Sequence, residues 1–177
     1  MPISEIEKKQ KKLRDSYRKK RIAIPSDDRA ILHKEITRVL LTNAILKKCK
    51  TIAAYLNLPS EVNLSEFIRK AQKRGQNVCV PVVDANKMVM EFRELPVDFE
   101  RRDRSEEDRV LLTQRKRELV ELDCALIPLL VFDSLGNRIG MGGGYYDKFF
   151  ENPKKRPLLV GIAYERQRAE KIIPQKW

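Results

Sequence analysis

The residues best suited to chemistry lie in one glycine-rich segment that ends in two tyrosines and an aspartate. Five of the seven glycines fall between Gly136 and Gly144, and Tyr145, Tyr146 and Asp147 follow at once. Glycine lets the backbone adopt positive φ and approach an anion closely, and the first amides of a helix are unpaired donors. The pattern predicts phosphate binding; a structural turn is the alternative that a glycine cluster alone leaves open.

Asp147 stands one turn into the helix predicted after this loop. Magnesium prefers carboxylate and phosphate oxygens and keeps several of its waters. A carboxylate beside a phosphate-binding loop is therefore a candidate magnesium ligand.

The other reactive residue types indicate no second catalytic centre. His33 is the only histidine, and it lies in a helical stretch where we expect a structural role. The cysteines Cys49, Cys79 and Cys124 are odd in number and far apart, which indicates reduced thiols in the cytoplasm and not a disulfide framework or a zinc site. Cys124 has no histidine placed to activate it as a nucleophile.

Strands that alternate with helices flank the loop and must position it. Apolar patterns predict strands over 51–57, 77–83, 88–95, 124–132 and 158–164, and helices over 4–22, 30–46, 65–74, 110–122 and 145–151. This order predicts an α/β layered sandwich, with a mostly parallel central sheet flanked by helices. Ligands gather at the carboxyl ends of such strands, so we expect 57–61 and 132–147 on one rim.

The length of the chain allows one domain, and its net charge favours an anionic partner. The chain has 177 residues, a net charge of +12 and nine basic residues between Lys8 and Arg21. That run is open to three interpretations: a nucleic-acid footprint, a solvated helix face, or a source of one or two contacts to an anionic small molecule. Tyr17 is the only aromatic residue in this run, whereas proteins that bind single strands use several aromatics for base stacking. We therefore expect no nucleic-acid partner. No apolar run reaches the ~20 residues that cross a bilayer, and no secretory signal is evident, so we expect no membrane partner.

The glycine segment resembles the signature of a known family. The stretch from Asn137 to Asp147 is similar to the 5-formyltetrahydrofolate cyclo-ligase (methenyltetrahydrofolate synthetase) signature. Weaker similarities follow in the family's order: Leu13 and Arg14 with Arg18, Lys20, Arg21 and Ala23; then 53–61; 75–81; and 161–164 with Gln167. The resemblance implies a single cyclo-ligase-like domain over 1–177 with a NagB/RpiA/CoA-transferase-like fold.

The resemblance implies an ATP-dependent ligase that forms a cyclic C–N bond. The family converts 5-formyltetrahydrofolate to 5,10-methenyltetrahydrofolate and releases ADP and phosphate, with Mg²⁺. The formyl oxygen attacks the γ-phosphate, and N10 then displaces phosphate from the phosphorylated imidate. Positioning and charge neutralisation dominate such chemistry. Polyglutamylated folates are further candidate substrates, and the expected protein is a cytoplasmic monomer.

Carried onto this chain, the resemblance assigns roles residue by residue. Arg138 and Tyr146 are the implied catalytic residues, and Asp147 is the implied magnesium ligand. The implied ATP contacts are Arg14, Arg138, Ile139, Gly140, Met141, Gly142, Gly143, Gly144, Tyr145 and Tyr146. The implied folate contacts are Leu56, Glu61, Met141, Gly142, Gly143, Gly144 and Tyr145. Surface or core roles remain the alternatives for Arg14, Leu56, Glu61 and the two tyrosines.

Three features depart from the family pattern. The family often has a lysine where this chain has Gln10, and the charged segment 96–108 offers no equivalent of a Gly-x-x-Glu-Pro-like stretch. The pattern also continues beyond Trp177 to an acidic metal ligand, so either the sequence is shortened or the metal site is incomplete. A folate- or nucleotide-binding relative without catalysis, or a basic nucleic-acid-binding protein, is therefore the alternative function.

Overall fold

One six-stranded mixed sheet forms the centre of the structure. The computed structural model describes residues 5–84, 86–97, 99, 114–118, 121–151 and 156–172. Its strands are β1 Thr51–Ala53, β2 Asn77–Asp84, β3 Val89–Glu94, β4 Lys116–Arg117, β5 Cys124–Pro128, β6 Val131–Phe132, β7 Arg138–Ile139 and β8 Leu158–Ile162. The main sheet has the order β4-β3-β2-β1-β5-β8, and β6 and β7 form a separate antiparallel hairpin.

The four strands β2, β1, β5 and β8 are parallel, and β3 and β4 add an antiparallel edge. The helices are α1 Glu5–Ile22, α2 Ser26–Thr42, α3 Ala44–Lys48, α4 Ser65–Lys73 and α5 Tyr145–Phe149, with a 3₁₀ helix at Glu165–Gln167. The predicted α/β sandwich with a mostly parallel sheet is confirmed.

Apolar side chains cover both faces of the sheet, as parallel strands require. On one face, Ile52 and Leu126 pack with Phe67 of α4. On the other face, Phe92 and Ile127 pack with Phe150, which follows α5. A third cluster joins α1 to the β6–β7 hairpin. The hairpin that leads into the glycine loop is therefore anchored to α1.

Some predicted bounds were wrong. The helix predicted over 30–46 is two helices that break at Asn43, whose Oδ1 accepts hydrogen bonds from the amides of Ile45 at 2.9 Å and Leu46 at 3.1 Å. This side chain caps α3 and ends the continuous helix. The strand predicted over 51–57 is paired only at Thr51–Ala53, because the chain then turns into the loop that carries Glu61.

The predicted fourth strand, 124–132, is divided at Leu129 and Leu130. The carbonyl oxygens of both residues accept hydrogen bonds from Nε2 of Gln167, at 2.8 and 3.1 Å. These carbonyls bind a side chain at the point where the chain leaves β5 and enters β6. The continuous apolar run in the sequence therefore gave no sign that the chain passes here from the main sheet to the β6–β7 hairpin.

The helix predicted over 110–122 was also wrong for its described part. Lys116–Arg117 pairs with β3 instead, and the Arg117 side chain contacts both Glu94 and Glu121. Cross-strand charge pairing between Arg117 and Glu94 fixes this short edge strand, which the apolar pattern of the sequence did not indicate. Ser4, Ala85, Asp98, 100–113, 119–120, 152–155 and 173–177 lie outside the described residues. Within the described part of the chain, none of the helices is both long and apolar enough to cross a bilayer.

Candidate active site

The β6–β7 hairpin presents the glycine loop, and Asp133 fixes its turn. Oδ1 of Asp133 accepts hydrogen bonds from the amides of Leu135 at 3.0 Å and Asn137 at 2.9 Å, and Oδ2 accepts one from the amide of Ile172 at 2.9 Å. A further hydrogen bond from the Asn137 side chain is the main cause that lowers the pKa of Asp133. The turn is thus held by the ionised Asp133 carboxylate, both of whose oxygens accept hydrogen bonds.

Two glycines give the loop its shape. Gly142 has φ of 105° and Gly144 has φ of 68°, values that only glycine adopts at low cost. Gly144 is the N-cap of α5. Among the described residues, no backbone carbonyl accepts a hydrogen bond from the amides of Gly142, Gly143 or Gly144. These three donors are therefore available to an anion.

The loop borders a cavity of about 140 Å³. It is lined by Arg14, Pro128, Arg138, Gly140, Met141, Gly142, Gly143, Gly144, Tyr145, Tyr146 and Asp147. All predicted ATP contacts except Ile139 line it. Ile139 is 3% exposed and packs in the cluster that anchors the hairpin to α1, so its side chain supports the loop.

Arg14 brings α1 to this cavity. Its Nε donates to the carbonyl oxygen of Gly140 at 3.3 Å, and its Nη2 donates to Oε1 of Gln10 at 3.2 Å. Gln10 is buried, and it orients the arginine from one turn earlier on the same helix face. The glutamine that departs from the family pattern thus positions a predicted phosphate contact.

Arg138 and Asp147 form an ion pair at the same cavity. Nη2 of Arg138 lies 2.5 Å from Oδ1 of Asp147, in a partly exposed ion pair. Arg138 also borders a second cavity of about 480 Å³, which lies between the hairpin and β8 and includes Phe132, Gly161 and Ala163. One guanidinium therefore faces two adjoining spaces.

The two tyrosines differ in their surroundings. Tyr145 donates its hydroxyl to Sδ of Met88 at 3.5 Å, which ties the tip of the β2–β3 hairpin to α5. Tyr146 packs edge-on against Phe92 while also lining the loop cavity. Burial raises the pKa of Tyr146, and the charge of Glu61 raises it further. Its phenol is therefore neutral near pH 7 and is a hydrogen-bond donor.

Glu61 and Leu56 lie beyond the carboxyl end of β1, and neither lines the loop cavity. Glu61 is 6% exposed; its Oε1 lies 3.5 Å from Nη1 of Arg21, and its Oε2 accepts a hydrogen bond from the amide of Leu58 at 3.0 Å. Nη2 of the same guanidinium lies 3.9 Å from Sδ of Met141. The expected common rim is confirmed for Glu61, because the Arg21 side chain contacts both Glu61 and Met141 of the loop. Leu56 is 40% exposed at this end.

Sequence reasoning gave no role to two residues that support this rim. Arg21 contributed to the resemblance, but its partners are 39 to 120 positions away, so spacing could not find them. Tyr164 donates its hydroxyl to the backbone oxygen of Glu61 at 3.1 Å and lies 2.6 Å from Nε2 of His33. The structural role expected for His33 is this contact with the Tyr164 hydroxyl, which in turn holds the backbone of Glu61.

The donor set suits one magnesium ion shared with a ligand. Among the residues that the structure describes, no group of three or more histidine, cysteine, aspartate or glutamate side chains could hold a metal. Asp147 supplies one carboxylate, and its Oδ2 accepts no hydrogen bond from the described residues. A single carboxylate is sufficient where phosphate oxygens and waters complete the coordination.

Comparison with known proteins identifies the family. The model of the 5-formyltetrahydrofolate cyclo-ligase family matches residues 6–176. The chain belongs to this family. A 5-formyltetrahydrofolate cyclo-ligase from Haemophilus influenzae is 28% identical over 173 residues, covering 96% of this chain and 92% of the relative. An Escherichia coli cyclo-ligase is 26% identical over 167 residues, covering 90% of each chain.

Solved structures of cyclo-ligase relatives share the fold. A 5,10-methenyltetrahydrofolate synthetase from Mycoplasma pneumoniae superposes with a TM-score of 0.75 at 23% identity, covering 93% of this chain and 91% of that one. The Aquifex aeolicus 5,10-methenyltetrahydrofolate synthetase gives a TM-score of 0.76 at 22% identity, covering 95% and 84%. These similarities agree with the mixed sheet and with its flanking helices.

Proposed function

We propose that this protein catalyses the ATP-dependent cyclisation of 5-formyltetrahydrofolate to 5,10-methenyltetrahydrofolate, with release of ADP and phosphate. Membership of the cyclo-ligase family supports the reaction. The observation that carries it to particular residues is the loop cavity between Arg14 and Arg138. Its border includes three glycine amides that donate to no backbone carbonyl in the described part of the chain. Two guanidinium groups and several N–H donors form a site for a polyanion.

The triphosphate of ATP occupies the loop cavity in this proposal. Amides of Gly142, Gly143 and Gly144 bind its oxygens, while Arg14 and Arg138 neutralise its charge. Asp147 would hold Mg²⁺ beside the phosphates, and the ion would supply charge neutralisation there. Arg138 must release Asp147 for this, and the arriving phosphate offers the guanidinium a replacement partner.

The pterin binds at the neighbouring end of the rim. A carboxylate only accepts hydrogen bonds, so Glu61 suits the amino and N–H donors of the pterin. Exposed apolar side chains at Leu56 and Met141 offer packing surfaces next to it. Tyr145 and the glycine loop contact the remainder of the folate, so one loop serves both ligands.

The proposed chemistry places the formyl oxygen against the γ-phosphate. Attack by this oxygen forms a P–O bond and breaks the bond to ADP. N10 then forms the C–N bond and loses its proton to the departing phosphate, which leaves with the former formyl oxygen. Arg138 and the neutral Tyr146 phenol donate to the oxygens that gain charge. No thiol takes part: Cys79 and Cys124 are buried, and burial raises the pKa of each to about 12.

The exposed lysines of α1 favour anionic substrates. Lys8, Lys9, Lys11, Lys12, Lys19 and Lys20 are all exposed on this helix. We propose that they attract the polyglutamyl tail of cellular folates, a long-range effect that salt would weaken. The proposal extends to a monomeric, single-domain protein of the cytoplasm.

The direct test is a turnover assay. Protein is mixed with ATP, Mg²⁺ and 5-formyltetrahydrofolate, and formation of the methenyl chromophore is followed together with ADP release. Product that depends on all three components supports the proposal. Tight binding of ATP or folate without product would instead identify a non-catalytic relative. RNA binding that falls steeply with salt and ignores Asp147→Asn, without product, would favour the nucleic-acid alternative.

A further inference from the structure

The guanidinium of Arg21 lies where three segments of the candidate site meet. It is 3% exposed. Nη1 lies 3.5 Å from Oε1 of Glu61 and donates to the carbonyl oxygen of Leu129 at 3.4 Å. Nε donates to Oγ of Ser60 at 3.2 Å, and Nη2 lies 3.9 Å from Sδ of Met141. One side chain therefore joins the loop after β1, the end of β5 and the glycine loop to α1.

A cation in this position is costly for folding alone. Burial lowers the pKa of Arg21, and the Glu61 carboxylate acts in the opposite direction. Among the described residues, one carboxylate lies within 4.0 Å of this guanidinium, and it belongs to Glu61. Apolar residues of similar volume commonly serve stability as well as a buried ion pair does. This buried charge lies at the edge of the candidate site, in contact with Glu61 and Met141.

The contacts of Glu61 show what that role is. Arg21 holds Oε1, the amide of Leu58 holds Oε2 at 3.0 Å, and the hydroxyl of Tyr164 holds the backbone oxygen at 3.1 Å. An ionised carboxylate has about four lone-pair positions, so about two remain for a ligand. The carboxylate is therefore held at both oxygens and fixed in direction before any pterin arrives.

We propose that Arg21 is a positioning residue for the folate subsite, which orients the Glu61 carboxylate toward the pterin and fixes its distance from the glycine loop through Met141. This rests on the proposed function, in which Glu61 accepts the pterin donors and the loop holds the γ-phosphate. Phosphoryl transfer needs the formyl oxygen and the γ-phosphate in one geometry, and a misplacement of ~1 Å can cost about 100-fold. Arg21 makes no contact with the reacting atoms and acts through Glu61 and the loop.

The test compares Arg21→Lys and Arg21→Met with matched changes at Arg38, an exposed arginine of α2. Lysine keeps the charge but lacks the planar fork that reaches all these partners. We expect Arg21→Lys to raise the KM for 5-formyltetrahydrofolate about tenfold, the equivalent of one charge-assisted hydrogen bond. The KM for ATP stays within about twofold, because Arg14 and Arg138 are untouched. Arg38→Lys and Arg38→Met leave both constants unchanged.

A double-mutant cycle separates positioning from packing. If Arg21 acts in part through Glu61, then Arg21→Met combined with Glu61→Gln raises the folate KM by less than the two single effects combined. Urea unfolding of each variant reports the folded fraction independently. A purely structural arginine would lower stability and kcat together and leave both KM values unchanged, which would overturn the proposal.

The outcomes also separate this proposal from the one it rests on. A folded wild-type protein without turnover overturns the proposed function and the role of Arg21 with it. An active wild-type protein whose folate KM is unchanged in Arg21→Lys and Arg21→Met overturns the role of Arg21 alone. Additive effects of Arg21→Met and Glu61→Gln on the folate KM would overturn it as well.

Discussion

Arg138 places its Nη2 2.5 Å from Oδ1 of Asp147, and both side chains line the cavity that the glycine loop borders. The residue proposed to bind phosphate is thus paired with the residue proposed to bind magnesium. A nucleotide complexed with Mg²⁺ offers each of them a new partner, phosphate for the cation and metal for the carboxylate. The ion pair keeps both side chains beside the loop before the ligand arrives.

Replacing Asp147 with asparagine should therefore affect turnover much more than stability. We expect Asp147→Asn to lower kcat about 100-fold or more, as loss of a charge at a phosphoryl-transfer site does, and to demand more magnesium. A partly exposed ion pair contributes only about 0–1 kcal/mol to folding, so the urea midpoint changes little. Asp28→Asn, an exposed aspartate of α2, is the control for which neither quantity should change beyond a small helix-end effect. Equal magnesium dependence in Asp147→Asn and wild type would exclude the metal role.

Arg14 should act on ATP and not on folate. It reaches the loop through the carbonyl oxygen of Gly140 and is held in place by Gln10. We expect Arg14→Met to raise the KM for ATP about tenfold, the effect of removing one charge-assisted phosphate contact. Steady-state kinetics with each substrate varied in turn measures this, and Arg38→Met is the control. A change confined to the KM for folate would contradict the placement of ATP at this loop.

The path of the glycine loop should depend on Gly144 and tolerate a change at Gly140. Gly144 has φ of 68°, whereas a Cβ at Gly140 meets no atom within 4 Å and its φ is not positive. An alanine in the left-handed region costs about 1–2 kcal/mol. We expect Gly144→Ala to lose about that much unfolding free energy and to weaken ATP binding. Gly140→Ala should remain close to wild type in urea unfolding. Equal losses in the two variants would show that backbone conformation does not set the loop.

Stability should fall with decreasing pH because of His33. Burial is the main cause that lowers the pKa of His33, and the nearby Arg29 lowers it further. Its unfolded-state pKa is about 6.5. The neutral folded form thus contributes stability above pH 6.5, and this contribution is lost as pH falls through the lowered folded value. His33 is the only histidine, so His33→Gln should remove most of the pH dependence of unfolding that appears as the pH falls below about 6.5 and through the lowered folded pKa. If the unfolding free energy of His33→Gln varies with pH as steeply as that of wild type, the pH dependence arises from carboxylates and not from His33.

Much of the fold and the central loop could be predicted from the sequence. The order of strands and helices, and the loop with its tyrosines and aspartate, follow from local patterns in glycine and apolar residues. The boundaries failed where a distant group decided them. Gln167 ends β5 by binding the carbonyl oxygens of Leu129 and Leu130, and Glu94 fixes β4 through Arg117. No local pattern in the sequence contains these partners.

The same limit applies to the site. Arg138 and the loop residues carry a signature within one short segment, and Arg14 belongs to the part of α1 that resembles the family's first helix, so they could be named. Arg21 could not, since its contacts to Glu61, Leu129 and Met141 span 40, 108 and 120 positions. A basic helix with nine cations gives no sign of which one is buried.

The most informative measurement follows the formyl oxygen. 5-Formyltetrahydrofolate labelled with oxygen-18 in the formyl group is converted by the protein with ATP and Mg²⁺, and the released phosphate is analysed by mass spectrometry. If the loop holds the γ-phosphate against the formyl oxygen, each methenyl product is accompanied by one labelled phosphate. Unlabelled phosphate, with the label found in water, would contradict phosphoryl transfer to the folate at this site.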